Sequence, residues 1–267
     1  MTDGGWAIIT GASSGIGKAL AFEFASGGFH VLLTGRNQAA LAAVAAECTK
    51  TFHVSAEFVI ADLSHLESID RLIEAILSKS RRYEVLVNNA GFGVHGEFAS
   101  SDINLELQLI NVQLAAAIKL TKAVLPSMIA SHSGKILNVA SVYGFAPVPS
   151  QSVYSACKAF LLSFSTSLRN ELDGTGVSVT VFCPGITQSE FRSRAGIAVK
   201  NKDSGMTSEA AAHIAYAETM RGKDIIVPGL PNRMFVLASR LLPGSSFAKI
   251  VKLINRKRGL SDHSTEL

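Results

Sequence analysis

Short runs of consecutive apolar residues alternate along this chain with longer stretches of helical periodicity. Trp6-Ala7-Ile8-Ile9, His30-Val31-Leu32-Leu33-Thr34, Phe58-Val59-Ile60-Ala61 and Glu84-Val85-Leu86-Val87 read as four strands. Ile136-Leu137-Asn138-Val139, Val177-Ser178-Val179-Thr180-Val181-Phe182 and Asp224-Ile225-Ile226-Val227 read as three more. Between them the spacing predicts a helix from Gly15 to Ser26 and an Ala-rich helix from about Asn37 to Cys48, with Asn37 as its N-cap. Longer helices are expected around Asn104–Ala130 and Gln151–Leu172. Strands that are apolar at nearly every position belong where helices cover both faces of a parallel sheet. The pattern therefore predicts an α/β protein with a doubly wound sheet of about seven strands. No proline- or serine-rich linker and no internal repeat divides it. A single domain is expected, with residues 1–230 as its body and 231–267 as a C-terminal helical extension ending in a basic tail.

Two segments depart from the alternation. Gln188 to Thr207 is rich in Ser, Arg, Lys and Gly with weak periodicity. It is expected to be a mobile loop with short helices, placed beyond the carboxyl ends of the strands where a substrate lid would lie. Arg233 to Leu242 reads as an apolar helix stopped by Pro243-Gly244. Phe247, Ile250, Val251 and Ile254 then recur at helical spacing opposite a basic cluster. Such a helix packs on the body or on a second subunit. Alternatively, it attaches to an anionic membrane surface or to a phosphate-bearing acyl carrier.

Composition narrows the classes. Hydrophobic residues make up 48% of the 267 positions, ample for a buried core. No run of eighteen apolar residues is free of charged or polar interruptions, so no membrane-spanning helix is expected. The first residues lack a basic segment followed by an apolar one and do not read as a secretion signal. Three widely spaced cysteines, Cys48, Cys157 and Cys183, suit neither a disulfide framework nor a metal cluster; they fit a reducing cytoplasm. The net charge is +4, but Lys249, Lys252, Arg256, Lys257 and Arg258 set aside leave the rest of the chain at −1. No general basic face for nucleic acid is expected.

The candidate chemistry is concentrated in a few residues. Tyr154 and Lys158 are four apart, one turn of a helix, so a phenol and an ammonium share a face. A nearby cation should lower the tyrosine pKa and ready it to exchange a proton with a hydroxyl or carbonyl oxygen. Ser141 lies thirteen residues upstream. Near the start, Thr10-Gly11-Ala12-Ser13-Ser14-Gly15-Ile16-Gly17 follows an apolar strand and opens a helix. Glycines there let backbone N–H groups approach a pyrophosphate, and the helix N-terminus favours the negative charge. Together these features suggest a Rossmann-type unit and hydride transfer with a nicotinamide cofactor. The second strand ends at Gly35-Arg36, where NAD-binding units place a carboxylate. A guanidinium suits a 2′-phosphate and no acid stands beside it to repel one, so NADP(H) is expected over NAD(H), with Ser14 as a further donor.

In order, Gly11, Gly15-Ile16-Gly17, Asn88-Asn89-Ala90-Gly91, Asn111, Ser141, Tyr154, Lys158 and Pro184-Gly185 resemble the short-chain dehydrogenase/reductase family over roughly residues 5–230. The resemblance implies a tetrad of Asn111, Ser141, Tyr154 and Lys158. In it Tyr154 is the general acid or base, and Ser141 orients the substrate oxygen. Lys158 tunes the tyrosine and holds the nicotinamide ribose, while Asn111 fixes a water leading to Lys158. It also implies cofactor contacts from Gly11, Ser13, Ser14, Gly15, Ile16, Gly17 and Arg36. Further contacts would come from Asp62 and Leu63, from Asn88, Ala90 and Gly91, a run that would also stabilise the central sheet, and from Gly185, Ile186 and Thr187, with Ser189 competing for the last role. Asp62 has a second reading as the cap of the following helix. The long helices would form a homodimer or homotetramer.

Phe92, His95, Val142, Tyr143 and Phe191, with Phe145 and Val148, are expected around the substrate, His95 having a second reading as a surface-loop residue. Their apolar character favours a hydrophobic ketone, aldehyde or secondary alcohol. Two other readings compete: a non-enzymatic NADP-sensing protein, which would need neither Tyr154 nor Lys158, and an epimerase or isomerase that uses the cofactor transiently.

Overall fold

The computed structural model describes residues 4–191, Ala195, Ile197 and 205–257, the side chains of 256 and 257 apart. Seven strands form one parallel sheet: β1 (Trp6–Thr10), β2 (His30–Gly35), β3 (Ala56–Ile60), β4 (Tyr83–Asn88), β5 (Gly134–Val139), β6 (Val177–Phe182) and β9 (Ile225–Ile226), in the spatial order 3-2-1-4-5-6-9. The chain starts at the centre, winds outward through β3, then returns to place β4 on the other side of β1. This reversal makes the loops after β1 and β4 diverge and opens a crevice at the strands' carboxyl ends.

Helices α1 (Gly15–Ser26) and α2 (Gln38–Phe52) cover one face, with α7 (Ser208–Met220) beside α1. Their core joins Leu20, Phe24, Leu41 and Val44 to Ile9, Leu33 and Val87 of the sheet. On the other face lie α3 (Leu66–Leu77), α5 (Ala116–Ala130) and α6 (Ser152–Glu171), packed through Ile69, Leu72, Leu120, Val124 and Leu168 on Ile8, Leu86 and Ile136. Asn37 caps α2 as its sequence implies, its side chain accepting from the Ala40 N–H at 3.0 Å. Helix α2 runs on to Phe52, past the expected end at Cys48, because no Gly or Pro stops it before the left-handed His53.

Helix α4 (Ile103–Ile110) continues through a wide turn, Asn111–Ala115, into α5. This run, Ile103–Ala130, is long and apolar enough to cross a membrane by length and composition, contrary to the expectation that no segment would be. Its Ala116, Leu120, Val124 and Met128 pack against the sheet, the position of a core helix. The Gln188–Thr207 segment is tied at both ends by a second correction. Thr187–Gln188 (β7) pairs in parallel with Met206–Thr207 (β8), a two-residue ribbon too short to read from periodicity. Most of what lies between falls outside the described residues. After β9, α8 (Leu230–Leu241) and α9 (Gly244–Lys257) fold back on the body; Phe247 and Val251 bury against Ala146 and Val148.

Candidate active site

The turn after β1 shows why it needs glycines. Gly11 and Gly15 have φ of 67° and 54°, left-handed values that cost other residues energy. A Cβ at Gly17 would run into the Gly11 carbonyl oxygen and the Asn89 amide. The turn is clamped to the loop after β4. The Thr10 hydroxyl accepts from the Asn89 and Ala90 N–H groups, both at 2.9 Å, and the Asn89 amide donates to the Thr10 carbonyl at 2.8 Å. Asn89 belongs to the run that carries the family resemblance, but no role of its own is read for it from the sequence. Its signal was there, a second amide in a run that must bridge two loops. Asn88, by contrast, faces away from the cleft. It donates to Asn138 at 2.8 Å, which donates to Ser165 at 2.8 Å, a buried chain that ties β4, β5 and α6 together. Its side chain thus does the sheet-stabilising work that the resemblance implies for this run.

A cleft of about 670 Å³ runs from this turn across the carboxyl ends of the strands. Ser13, Ser14, Ile16, Arg36, Asp62 and Leu63 line one end with the three glycines. Ala90, Gly91, Gly185, Ile186, Thr187 and Ser189 line its middle. The close backbone approach at Gly11 and Gly17 and the N-terminus of α1 fit a dinucleotide pyrophosphate. The expectation that no acid adjoins Arg36 is corrected. Because β3 neighbours β2, Asp62 comes within 3.9 Å of the guanidinium. Burial raises the Asp62 pKa, but hydrogen bonds from the Ser64 hydroxyl (2.7 Å) and N–H (3.0 Å), with Arg36 and His65 nearby, hold it below the ordinary value. Asp62 thus folds its own loop ahead of α3, whose N-cap is His65. The Arg36 side chain stays largely exposed, free to turn to another anion.

Tyr154, Lys158 and Ser141 meet in the cleft's centre. Tyr154 and Lys158 stand on α6, and Ser141 lies two residues past β5 at the start of a short turn, where its hydroxyl accepts from the Tyr143 N–H at 3.2 Å. The ammonium lies 5.5 Å from the tyrosine ring centroid and donates to the Val139 carbonyl at 2.8 Å. Here the structure overturns a sequence expectation. Burial drives the Tyr154 phenol well above its ordinary pKa, against the lowering effect of its hydrogen bond with Ser141. The lysine, aimed at a carbonyl, does not offset this. Burial also lowers Lys158 to about 8. At pH 7 both groups hold their protons: a neutral phenol and a mostly charged ammonium. Asn111 sits off the cleft wall, which its neighbour Val112 supplies; its amide donates to the Ser64 carbonyl at 2.9 Å.

Phe92, Val142, Tyr143 and Phe191 form the wall around the reacting end, with the Phe191 ring 5.5 Å from that of Tyr154. His95, Phe145 and Val148 lie outside the wall. Val148 is buried instead against Phe247, and Phe145 packs behind the site. The unforeseen part is the roof. Asn232 and Phe235 of α8 and Val251, Ile254 and Asn255 of α9 line the same cleft. Phe235 packs on Tyr143 (6.2 Å between centroids) and on Phe247 (5.2 Å). Asn232 occupies the space a side chain at Gly185 would fill, its amide donating to the Pro228 carbonyl at 2.6 Å. The only sequence signal was helical periodicity, which shows that a face is buried but not what it covers.

The short chain dehydrogenase family model matches residues 5–198. Dehydrogenase/reductase SDR family member 7B of Xenopus laevis is 31% identical over 265 residues, covering 94% of this chain and 82% of that protein. Very-long-chain 3-oxoacyl-CoA reductase of Anas platyrhynchos is 37% identical over 185 residues, 68% of this chain and 59% of that protein. A short-chain dehydrogenase from Sphingobium yanoikuyae, solved in complex with NADPH, superposes with a TM-score of 0.81 at 29% identity, covering 98% of each chain. With a Rossmann-type sheet, a glycine-lined dinucleotide crevice and Ser141, Tyr154 and Lys158 gathered in it, the chain belongs to the short-chain dehydrogenase/reductase family, enzymes that act on alcohol and carbonyl groups with a nicotinamide cofactor.

Proposed function

We propose that this protein is an NADPH-dependent reductase of apolar ketones or aldehydes, competent in reverse with secondary alcohols. The observation that carries the reading is the convergence of the buried Tyr154 phenol and the Ser141 hydroxyl at the centre of an apolar-walled cleft that begins at the phosphate turn. When bound, NADPH supplies the hydride that the carbonyl carbon receives. Ser141 donates a hydrogen bond to the carbonyl oxygen, holding it beside Tyr154. The Tyr154 hydroxyl gives its proton to that oxygen as the hydride arrives, so the product alcohol forms without a free alkoxide. Lys158 binds the nicotinamide ribose and restores the proton, and Asn111 holds a water on that route. Arg36 turns from Asp62 to the 2′-phosphate, which favours NADPH over NADH. Because burial raises its pKa, the phenol holds its proton near neutral pH, so the form that reduction requires is the one present, whereas oxidation would first need that proton removed.

An acyl thioester with a 3-oxo group is one such apolar carbonyl, in keeping with the 3-oxoacyl-CoA reductase among its relatives. Exposed Ile103, Leu105, Leu107, Ile118 and Phe160 on α4, α5 and α6 support a homo-oligomer through those helices. The decisive experiment is an NADPH-consumption screen over ketones, aldehydes and 3-oxoacyl thioesters with NADH alongside, repeated with Tyr154→Phe. Turnover should fall by about 10²- to 10⁴-fold while NADPH still binds. Full activity in the Phe variant would sink the acid role. Absence of net NADPH oxidation with any substrate would favour a sensor or a transient redox role.

A further inference from the structure

Helices α8 and α9 have two different faces. The inner faces carry Phe235, Phe247 and Val251 onto the body and over the cleft. The outer face of α8 carries Leu230, Met234, Leu237 and Leu241, spaced four, three and four residues apart, so they lie on one stripe. They are 70%, 56%, 50% and 74% exposed. On α9, Ile250, Leu253 and Ile254 are also exposed, with Lys249 and Lys252 on the same outward side. A helix that buries only a narrow inner stripe and leaves this much leucine and isoleucine in water has a second surface to cover.

Charge identifies the cover. From residue 225 to residue 261 the sequence has seven basic residues, Arg233, Arg240, Lys249, Lys252, Arg256, Lys257 and Arg258, and no Asp or Glu. The rest of the chain holds 18 basic residues against 21 acidic ones, so cationic character is concentrated in this segment. Apolar side chains on an amphipathic helix, flanked by lysines without any acid, match the interface of an anionic bilayer. They match another copy of this chain poorly, since two such faces would bring like charges together.

We propose that the outer face of α8 and α9 docks on an anionic lipid surface. Leu230, Met234, Leu237, Leu241 and Leu253 enter the boundary between headgroups and acyl chains, while Lys249 and Lys252 meet lipid phosphates. Ile254 is both exposed and part of the cleft wall, so the cleft's lip lies at the docked face. An apolar substrate dissolved in the bilayer then reaches Tyr154 past Ile254 without crossing water; this last step alone rests on the reductase reading.

Co-sedimentation of the full chain with vesicles tests the docking without any turnover. The protein should pellet with vesicles of phosphatidylcholine mixed with phosphatidylserine, stay in solution with phosphatidylcholine alone, and be released by high salt. Leu237→Glu combined with Leu241→Glu should reduce partitioning by at least about tenfold, and each of Lys249→Glu and Lys252→Glu by roughly fivefold or more. All four positions lie outside the cleft wall, so these variants should keep wild-type folding by circular dichroism and wild-type turnover of a water-soluble ketone. The proposal is overturned if the wild type ignores anionic vesicles or if binding survives the leucine variants. It is also overturned if those variants instead split an oligomer seen by light scattering while the wild type does not bind vesicles. Docking without any reductase activity would keep this inference and remove the proposed reaction.

Discussion

The floor and the roof of one cleft are built on different principles. On the floor, single atoms are fixed: a missing Cβ at Gly17, a hydroxyl at Thr10 that serves two N–H groups, an ammonium held on the Val139 carbonyl. The roof of Phe235, Val251 and Ile254 is set by volume and apolarity. Chemistry that positions a pyrophosphate and moves a proton tolerates errors of only fractions of an ångström. A wall that excludes water tolerates any side chain of similar size. The floor should therefore be brittle to substitution and the roof plastic.

Lys158→Met is the most severe test. Removing the ammonium should cost turnover at least about a hundredfold, the scale of a lost proton-transfer partner. It should also stabilise the fold. Lys158 titrates near 8 in the folded protein and 10.5 when unfolded, a difference of about 3 kcal/mol against the buried charge at pH 7. Leaving the Val139 carbonyl without its donor returns about 1 kcal/mol, so a net gain of about 2 kcal/mol is expected. Between pH 8 and 10.5 the unfolded chain keeps a proton the folded one has shed, so wild-type stability climbs with pH and the variant's advantage shrinks toward zero. Urea unfolding at pH 7 and pH 10 reads this directly. A variant less stable than wild type at pH 7 would show that the lysine supports the fold rather than straining it.

Gly17→Ala comes next. Its methyl would press on the Gly11 carbonyl and the Asn89 amide, both part of the clamp between two loops. Overpacking of this kind costs about 1–3 kcal/mol. The loss should appear as weaker NADPH binding by fluorescence titration together with a lower melting temperature. Unchanged affinity would mean the turn has slack that its geometry does not show.

This contrast also explains what was legible in the sequence. Residue types that answer a steric or electronic demand stand out because few alternatives satisfy it. Gly11, Gly15 and Gly17, the Tyr154–Lys158 pair and a parallel sheet of about seven strands were all readable for that reason. What failed depended on neighbours the sequence does not list. Asp62 meets Arg36 only because β3 lies beside β2. Tyr154 is raised, not lowered, because its burial is a property of the assembled cleft. The roof was invisible as a roof: Phe235 and Val251 read as apolar helix positions, and nothing in their spacing says what they cover.

Arg36→Ala probes a position between the two regimes, chemically specific yet largely exposed. Losing charge-assisted hydrogen bonds to a phosphate costs about 1.5–3 kcal/mol, a ten- to hundredfold rise in the NADPH dissociation constant. Solvent at this site and the competing Asp62 carboxylate place the expectation at the lower end, about tenfold. NADH affinity should hold or improve. Equal losses for both cofactors would assign Arg36 to loop folding and remove the argument for NADPH.

The smallest effect belongs to the roof. Phe235→Leu keeps an apolar side chain over the cleft and gives up the ring contacts with Tyr143 and Phe247. Such a swap costs less than about 1.5 kcal/mol, and it leaves NADPH binding untouched. Within the reaction it should change KM for bulky ketones by a few-fold at most and leave kcat for small ones alone, because nothing at the reacting atoms has moved. A collapse of kcat in this variant would show that the roof positions the substrate to the same tolerance as the floor, and the division between a brittle floor and a plastic roof would not stand.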